Sequence, residues 1–124
     1  MSHNGDTARL IKIMTYISGI EEIIARHQGA AAALKDTEGQ YALMMCLLQI
    51  GELSNRIKDE KMLAELPLRE AVSFRNRIAH EYNGILMDIT EKTLTQSIPE
   101  MKSKIIVFLK PYPEFPEWEK LWQK

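Results

Sequence analysis

The chain of 124 residues contains a single cysteine, Cys46, so no disulfide can form within it. A lone thiol inside an apolar run suits a reducing compartment and favours a cytoplasmic location. No apolar stretch reaches the roughly 18 residues that a membrane-spanning helix needs, and the first residues lack the pattern of a secretory signal. The sequence therefore argues against membrane insertion and against secretion.

Motifs of several common functional sites are also missing. The sequence has no Walker loop, zinc ribbon or G-x-G-x-x-G turn. His3 and His27 have no cysteine or carboxylate at metal-ligand spacing, so we expect neither a metal nor a cofactor. The net charge of −1 excludes a broad basic face that binds nucleic acid by releasing counterions. A small site that binds a few phosphates is compatible with that charge.

The overall composition fits one soluble domain covering residues 1–124. Hydrophobic residues make up 45% of the chain and charged residues 27%. The apolar residues recur at steps of three and four almost throughout, and no strand alternation is found. We expect an all-α fold, an up-and-down bundle of four to five helices with short connections.

The first two helices have recognisable ends. The first is predicted from near Asp6 to about residues 28–29, and residues 29–36 form a connection or a short extra turn. The second begins at Thr37, with Gln40 as its capping-box partner. Residues 41–50 are apolar nearly all round, which is typical of a helix that is central in its bundle or shared with a partner chain.

Prolines mark the later elements. Pro67 introduces the third helix, and Asn83-Gly84 is a good stop for it. Asp88 caps a fourth helix, which Pro99 is expected to kink or split. Residues 111–124 form a tail rich in proline and aromatic residues. Its prolines exclude regular helix until Glu117, after which Trp118 and Trp122 can pack a last short turn against the body. The charged run 58–61 is interpreted as a solvated helix end.

Arg75 interrupts the apolar stripe of the third helix. By helical geometry it lies on the face predicted to be apolar. The residues of that face are Leu68, Ala71, Val72, Ile78 and Ala79. An arginine in such a position is rarely buried unpaired, because desolvating its charge costs several kcal/mol. It therefore has either an internal carboxylate partner, such as Glu52, or an anionic ligand.

Asn76 and His80 lie on the flank beside Arg75, and the set suits chemistry on a phosphodiester. A guanidinium binds phosphate oxygens and stabilises charge developing on them, and an imidazole can remove or return a proton. Ideal helical geometry separates Arg75 and His80 by roughly 140°, so one copy does not easily place both at one phosphate. A symmetric dimer would solve this. His80 could instead only cap the end of the helix.

The segment from Arg75 to Tyr82 matches the R-x4-H-x-Y pattern and resembles HEPN-domain proteins of the HepT-like toxin group. The similarity extends to Ile50-Gly51-Glu52 and to the start of the fourth helix. It implies a helical homodimer that cleaves RNA without a metal, as the toxin of a type II/VII-like toxin–antitoxin pair with a minimal nucleotidyltransferase as antitoxin. It further implies that Arg75 binds phosphate, His80 is the acid/base group, Asn76 orients, and the antitoxin attaches AMP to Tyr82.

Two other interpretations stay open at the level of the sequence. The chain can be a catalytically inactive HEPN protein that binds a nucleotide or a partner protein. Alternatively, the second and third helices can form a plain dimer interface, in which case Arg75 has only a structural role.

Overall fold

The computed structural model describes residues 4–81 and 87–123, and within these ranges the regular structure is entirely helical. A π-helical turn at Thr93–Ser97 joins the sixth and seventh α-helices. The α-helices are α1 Asn4–His27, α2 Ala30–Lys35, α3 Thr37–Arg56, α4 Glu60–Glu65, α5 Leu68–Glu81, α6 Met87–Lys92, α7 Ile98–Leu109 and α8 Phe115–Trp122. The predicted all-α class is confirmed.

The core forms where α3 packs between α1 and α5, and α7 packs against α1. Each helix contributes its apolar stripe, so the buried side chains recur at helical spacing. The largest fully buried apolar side chains are Leu10, Ile13, Met14, Ile17 and Ile20 of α1, Leu43 and Ile50 of α3, Met62 of α4, and Ile105 and Leu109 of α7. The apolar run 41–50 thus belongs to the central helix, as its composition indicates.

The prediction of four to five helices undercounts those that the structure describes. The four main helices are present as α1, α3, α5 and the α6–α7 pair, but the connections are helical too. α2 and α4 are only six residues long; α2 buries Ala30, Ala33 and Leu34, and α4 buries Met62. Segments this short carry little periodic signal, and packing against longer helices supplies their stability.

The start of α3 is as predicted, whereas its cap is not. The helix begins at Thr37, but Asp36 is the N-cap, and its carboxylate accepts a hydrogen bond of 2.8 Å from the Gly39 backbone N–H. With Asp36 as the N-cap, Gln40 is one residue beyond the capping-box position, and its amide group donates to the Leu34 carbonyl oxygen instead. Asp36 is a stronger capping residue than Thr37, and it occupies the position just before the helix.

The prediction that the charged run 58–61 is the solvated end of a helix is wrong. α3 ends at Arg56, and Asp59 caps the new helix α4 by accepting a hydrogen bond of 2.9 Å from the Met62 N–H. The buried carboxylate of Asp6 accepts hydrogen bonds from the backbone N–H groups of Lys58 and Asp59, at 2.9 and 2.8 Å. Arg9 adds a bond of 2.8 Å to the same carboxylate. Asp6 therefore anchors the first turn of α1 to the α3–α4 connection.

The predicted fourth helix corresponds to α6 and α7, and Pro99 does not split it into two separate helices. The chain passes from α6 to α7 through the π-helical turn, in which the Ile98 N–H donates to the carbonyl oxygen of Thr93, five residues back. Proline has no N–H to donate, so a local change in hydrogen-bond pattern just before it is expected. Thr93 and Thr95 also donate their hydroxyls to carbonyl oxygens four residues earlier, a contact that bends helices.

The C-terminal segment packs against the body through α8. Helix begins at Phe115, two residues earlier than predicted, because Pro116 occupies the first turn, where a missing N–H costs nothing. Phe115 and Trp122 are buried with their rings edge to face, and α8 contacts α1. The prediction that Trp118 and Trp122 pack a last turn onto the body agrees with this arrangement. None of the described helices is long and apolar enough to cross a membrane.

Replacing Asp6 by asparagine tests the anchor of α1. Burial alone would raise the pKa of the Asp6 carboxyl, but hydrogen bonds from Lys58, Asp59 and Arg9 outweigh it and hold the pKa below its ordinary 3.8. We expect Asp6→Asn to lower the free energy of unfolding by about 1–2 kcal/mol at pH 7, because charge-assisted hydrogen bonds are lost.

The same variant has a defined pH dependence. A carboxyl whose pKa is lower in the folded state stabilises the protein above its unfolded-state pKa and loses this effect as pH falls through the folded-state value. The difference between wild type and Asp6→Asn in urea unfolding should therefore shrink below about pH 4. Glu117→Gln, which removes an exposed carboxylate, is the control and should show little difference. An Asp6→Asn difference that is constant from pH 3 to 7 would contradict the assignment.

Candidate functional site

α5 carries the residues of the predicted site and packs mainly against α3. Leu68, Phe74 and Ile78 are its buried apolar side chains. The predicted stripe included Ala79, which is exposed, and omitted Phe74. With Phe74 and Ile78 directed to the core, Arg75 lies at the edge of the buried face rather than in its middle.

Arg75 lies where α3 and α5 approach each other most closely around a glycine. A Cβ atom built on Gly51 would be 2.1 Å from the Cβ of Arg75 and 2.8 Å from the carbonyl oxygen of Ala71. Both atoms belong to the main body of α5, so no flexible side chain can move aside. Gly51 is therefore required for this helix contact, and the helix contact fixes the base of the Arg75 side chain.

The guanidinium of Arg75 is held by the carboxylate of Glu52 and the amide of Asn76. Its Nε donates to Oε2 of Glu52 at 3.0 Å, and Nη2 donates to the same oxygen. Its Nη1 donates to Oδ1 of Asn76 at 2.9 Å. Of the two partners that the sequence left open for Arg75, the structure therefore shows the internal carboxylate, Glu52.

This pairing orients Arg75 without removing it from solvent. The Arg75 side chain is 30% exposed and that of Glu52 is 39% exposed. The hydrogen bonds still leave N–H groups on Nη1 and Nη2 from which a phosphate oxygen can accept. The arrangement is a fixed guanidinium at the surface whose charge is partly balanced by one carboxylate, and an anionic ligand can bind there by sharing or displacing Glu52.

Asn76 and His80 are both exposed on α5, and only Asn76 contacts Arg75. α5 stays helical through Glu81, so Arg75 and His80 are about 7.5 Å apart along the helix axis and diverge by roughly 140° around it. One copy of the chain therefore does not bring the two side chains to one phosphate. Tyr82, the predicted modification site, and the predicted stop at Asn83-Gly84 lie outside the described residues.

Gly51 and Glu52 determine the geometry of the site, although the spacing of residues singles out only those on α5. The available signal was a glycine followed by an acid near the end of an apolar helix, and it does not say which helix they contact. No group of three or more His, Cys, Asp or Glu side chains within 4–81 and 87–123 is arranged to hold a metal ion.

Known proteins provide a match over most of the chain. The family described as ribonuclease HepT-like matches residues 13–108, a range that includes Glu52, Arg75 and His80. A protein of Thermococcus cleftensis named as a probable ribonuclease HepT is 33% identical over 73 residues. These residues make up 57% of this chain and 66% of the relative, so the alignment covers just under two thirds of the relative's length. No solved structure matches the chain.

Gly51→Ala tests whether the close helix contact supports Arg75. The added methyl group collides with backbone and with Cβ of α5, so we expect a loss of about 1–3 kcal/mol in the free energy of unfolding. Gly19→Ala is the matched control, because its Cβ would meet only the Cys46 sulfur at 3.8 Å, an ordinary contact. That variant should be neutral or gain about 0.5–1 kcal/mol from the better helix former. Equal effects of the two substitutions in urea unfolding would refute the role given to Gly51.

Proposed function

Because the chain belongs to the HepT-like ribonuclease family, we propose that it is an RNA-cleaving toxin with Arg75, Asn76 and His80 at its active site. The observation that carries the proposal is the fixed, half-exposed guanidinium of Arg75, with hydrogen bonds to Glu52 and Asn76 on either side. A surface arginine whose orientation is set by its own protein is prepared to bind a phosphate without first losing side-chain freedom.

RNA supplies its own nucleophile, so the proposed reaction does not depend on a metal. The 2′-oxygen attacks the neighbouring phosphorus while one His80 removes the 2′ proton. The bond from phosphorus to the 5′-oxygen breaks, and the same His80, now protonated, returns the proton to that oxygen. Arg75 donates to the non-bridging oxygens, on which negative charge builds up in the transition state.

A second copy of the chain would supply the geometry that one copy lacks. α3 presents an exposed apolar stripe in which Tyr41 is 59% exposed and Met45 is 53% exposed. Leu48 continues the stripe, and Glu52 lies on the same face one turn later. A two-fold axis through this stripe places the Glu52–Arg75 pair of one copy close to the same pair of the other. We therefore assign the stripe to a homodimer interface, with the active site at its end.

The active-site assignment predicts a specific pattern of activity in mixed variants. Wild type should cleave single-stranded RNA in the presence of EDTA, and Arg75→Ala and His80→Ala should each lower the rate at least about a hundredfold while remaining folded. If Arg75 and His80 act across the interface, refolding the two variants together makes half of the dimers mixed, each with one complete site. The mixture should then recover about a quarter of the wild-type rate.

Two further variants give the controls. Arg69→Ala removes another exposed arginine of α5, and should retain activity because Arg69 lies outside the proposed site. Met45→Glu places a charge in the apolar stripe and should yield a monomer that is inactive although folded. Both outcomes are read from sedimentation equilibrium, circular dichroism and cleavage of a labelled RNA. Wild-type rates in both Arg75→Ala and His80→Ala would eliminate the proposed site.

The partner implied by the family is a minimal nucleotidyltransferase that acts as antitoxin and attaches AMP to Tyr82. Such a modification adds bulk and negative charge two residues from His80, where it would repel RNA. With the nucleotidyltransferase encoded beside this gene and ATP, we expect the protein mass to increase by whole AMP groups. Tyr82→Phe should show no increase, and Tyr112→Phe, which alters an exposed tyrosine outside the apolar stripe, should behave like wild type. An adduct that persists in Tyr82→Phe would contradict the assignment.

Binding without cleavage is the second candidate function, and the pairing of Arg75 favours it. Its guanidinium already has a carboxylate partner, as in structural ion pairs of inactive proteins. In that case the protein binds RNA or its partner protein with measurable affinity, while RNA half-lives are the same with and without it. Cleavage that is lost in His80→Ala excludes this candidate.

A further inference from the structure

A cavity of about 260 Å³ lies on the side of α5 away from Glu52. Its deep wall is apolar and comes from three helices, with Ile50 on α3, Phe74 on α5, and Ile98 and Met101 on α7. All four side chains are buried. An apolar cavity of about 150 Å³ holds one benzene ring, so this one has room for a larger planar ring system.

Polar groups surround the mouth of the cavity. Ser73 and Arg77 of α5 line it on one side, and Thr93 and Ser97, the first and last residues of the π-helical turn, line it on the other. π-helical turns are rare and frequently occur at functional sites. An apolar interior with a few polar groups at its entrance is typical of a small-molecule site, here close to the lower limit of size.

Arg77 supplies a cation at the mouth. It is exposed, and within the described residues the structure shows no hydrogen bond or ion pair for its guanidinium. Glu70 also borders the cavity, so the entrance presents a charge of each sign. A nucleotide meets both: its phosphate can accept from Arg77, and an exocyclic amino group of its base can donate to Glu70.

The cavity mouth adjoins the proposed active site on one helix surface. Ser73, Arg77 and His80 follow one another at steps of four and three residues, so their side chains share one face of α5. Asn76 neighbours His80 on the same face, four residues earlier. A strand of RNA whose phosphodiester lies at His80 therefore has its next nucleotide within reach of Arg77 and of the cavity.

We infer that the cavity binds the purine base of a nucleotide next to the cleaved phosphodiester, with Arg77 on that nucleotide's phosphate. The inference rests on the proposed ribonuclease function and adds to it a preference for purine. Phe74 and the aliphatic side chains of the wall offer apolar surface to a two-ring base, while a pyrimidine would leave part of the cavity unfilled. Base contacts of this kind on single-stranded RNA are the usual source of sequence preference.

The test measures binding separately from cleavage. Protein labelled at its methionine methyl groups is titrated with AMP, GMP, CMP or UMP and followed by NMR. We expect purine nucleotides to shift the Met101 resonance in the cavity wall and to leave Met45, on the exposed face of α3, unshifted. Arg77→Gln should weaken AMP binding about tenfold, the effect of losing one charge-assisted hydrogen bond. Arg69→Gln, on α5 but outside the cavity, should not.

A second variant and a second readout keep the outcomes distinct. Ser97→Leu fills the mouth with an apolar side chain and should abolish the Met101 shift while α-helical content is retained. In RNA cleavage, wild type should prefer sites flanked by purines, and Arg77→Gln should lose that preference. Cleavage without purine preference, or equal AMP binding in Arg77→Gln, overturns the inference and leaves the ribonuclease assignment standing. Purine binding at Met101 without any RNA cleavage defeats the ribonuclease assignment instead.

A protein occupant is the remaining outcome. If nucleotides leave Met101 unshifted while the nucleotidyltransferase partner shifts it, the cavity is a protein-docking site and the nucleotide inference is wrong.

Discussion

The contact between Gly51 of α3 and Arg75 of α5 is the constraint on which the site depends. Two helices can approach this closely only where one of them has no side chain. The approach puts the acid that follows Gly51 next to the arginine, so the Glu52–Arg75 pair results from helix packing rather than from chance meeting of two flexible side chains. The absence of a Cβ atom at Gly51 therefore sets both the distance between α3 and α5 and the orientation of the Arg75 guanidinium.

A partly screened arginine also fits the overall charge of the protein. With a net charge of −1, the chain offers no long-range attraction for RNA, and binding must come from a few directed contacts. Glu52 lowers the local positive charge but fixes the direction of the guanidinium. This arrangement favours ligands that match the direction of the guanidinium over polyanions in general.

Much of the fold follows from periodicity, and the parts that do not are those decided by packing. The apolar spacing identifies α1 and α3 as long helices because it extends over several turns in each. α4 and the cap at Asp36 were missed, since six residues carry little pattern and adjacent polar residues compete for one capping position. At the site, the sequence predicted Arg75 on the apolar face of α5, whereas the structure places it at the edge of that face, and Glu52 was one of its predicted partners. The role of Gly51 was not, because it depends on the distance between two helices.

The anchor at Asp6 has a consequence for the order in which the chain can fold. Asp6 is synthesised before the backbone groups that it binds, which belong to Lys58 and Asp59, 52 and 53 residues later. The first turn of α1 cannot be held by this anchor until residues 58 and 59 have left the ribosome. During that interval the apolar stripe of α1 has only part of the surfaces that later cover it. α1 is thus fixed in place by a segment that is made later, and this links completion of α1 to formation of the α3–α4 connection just beyond the site.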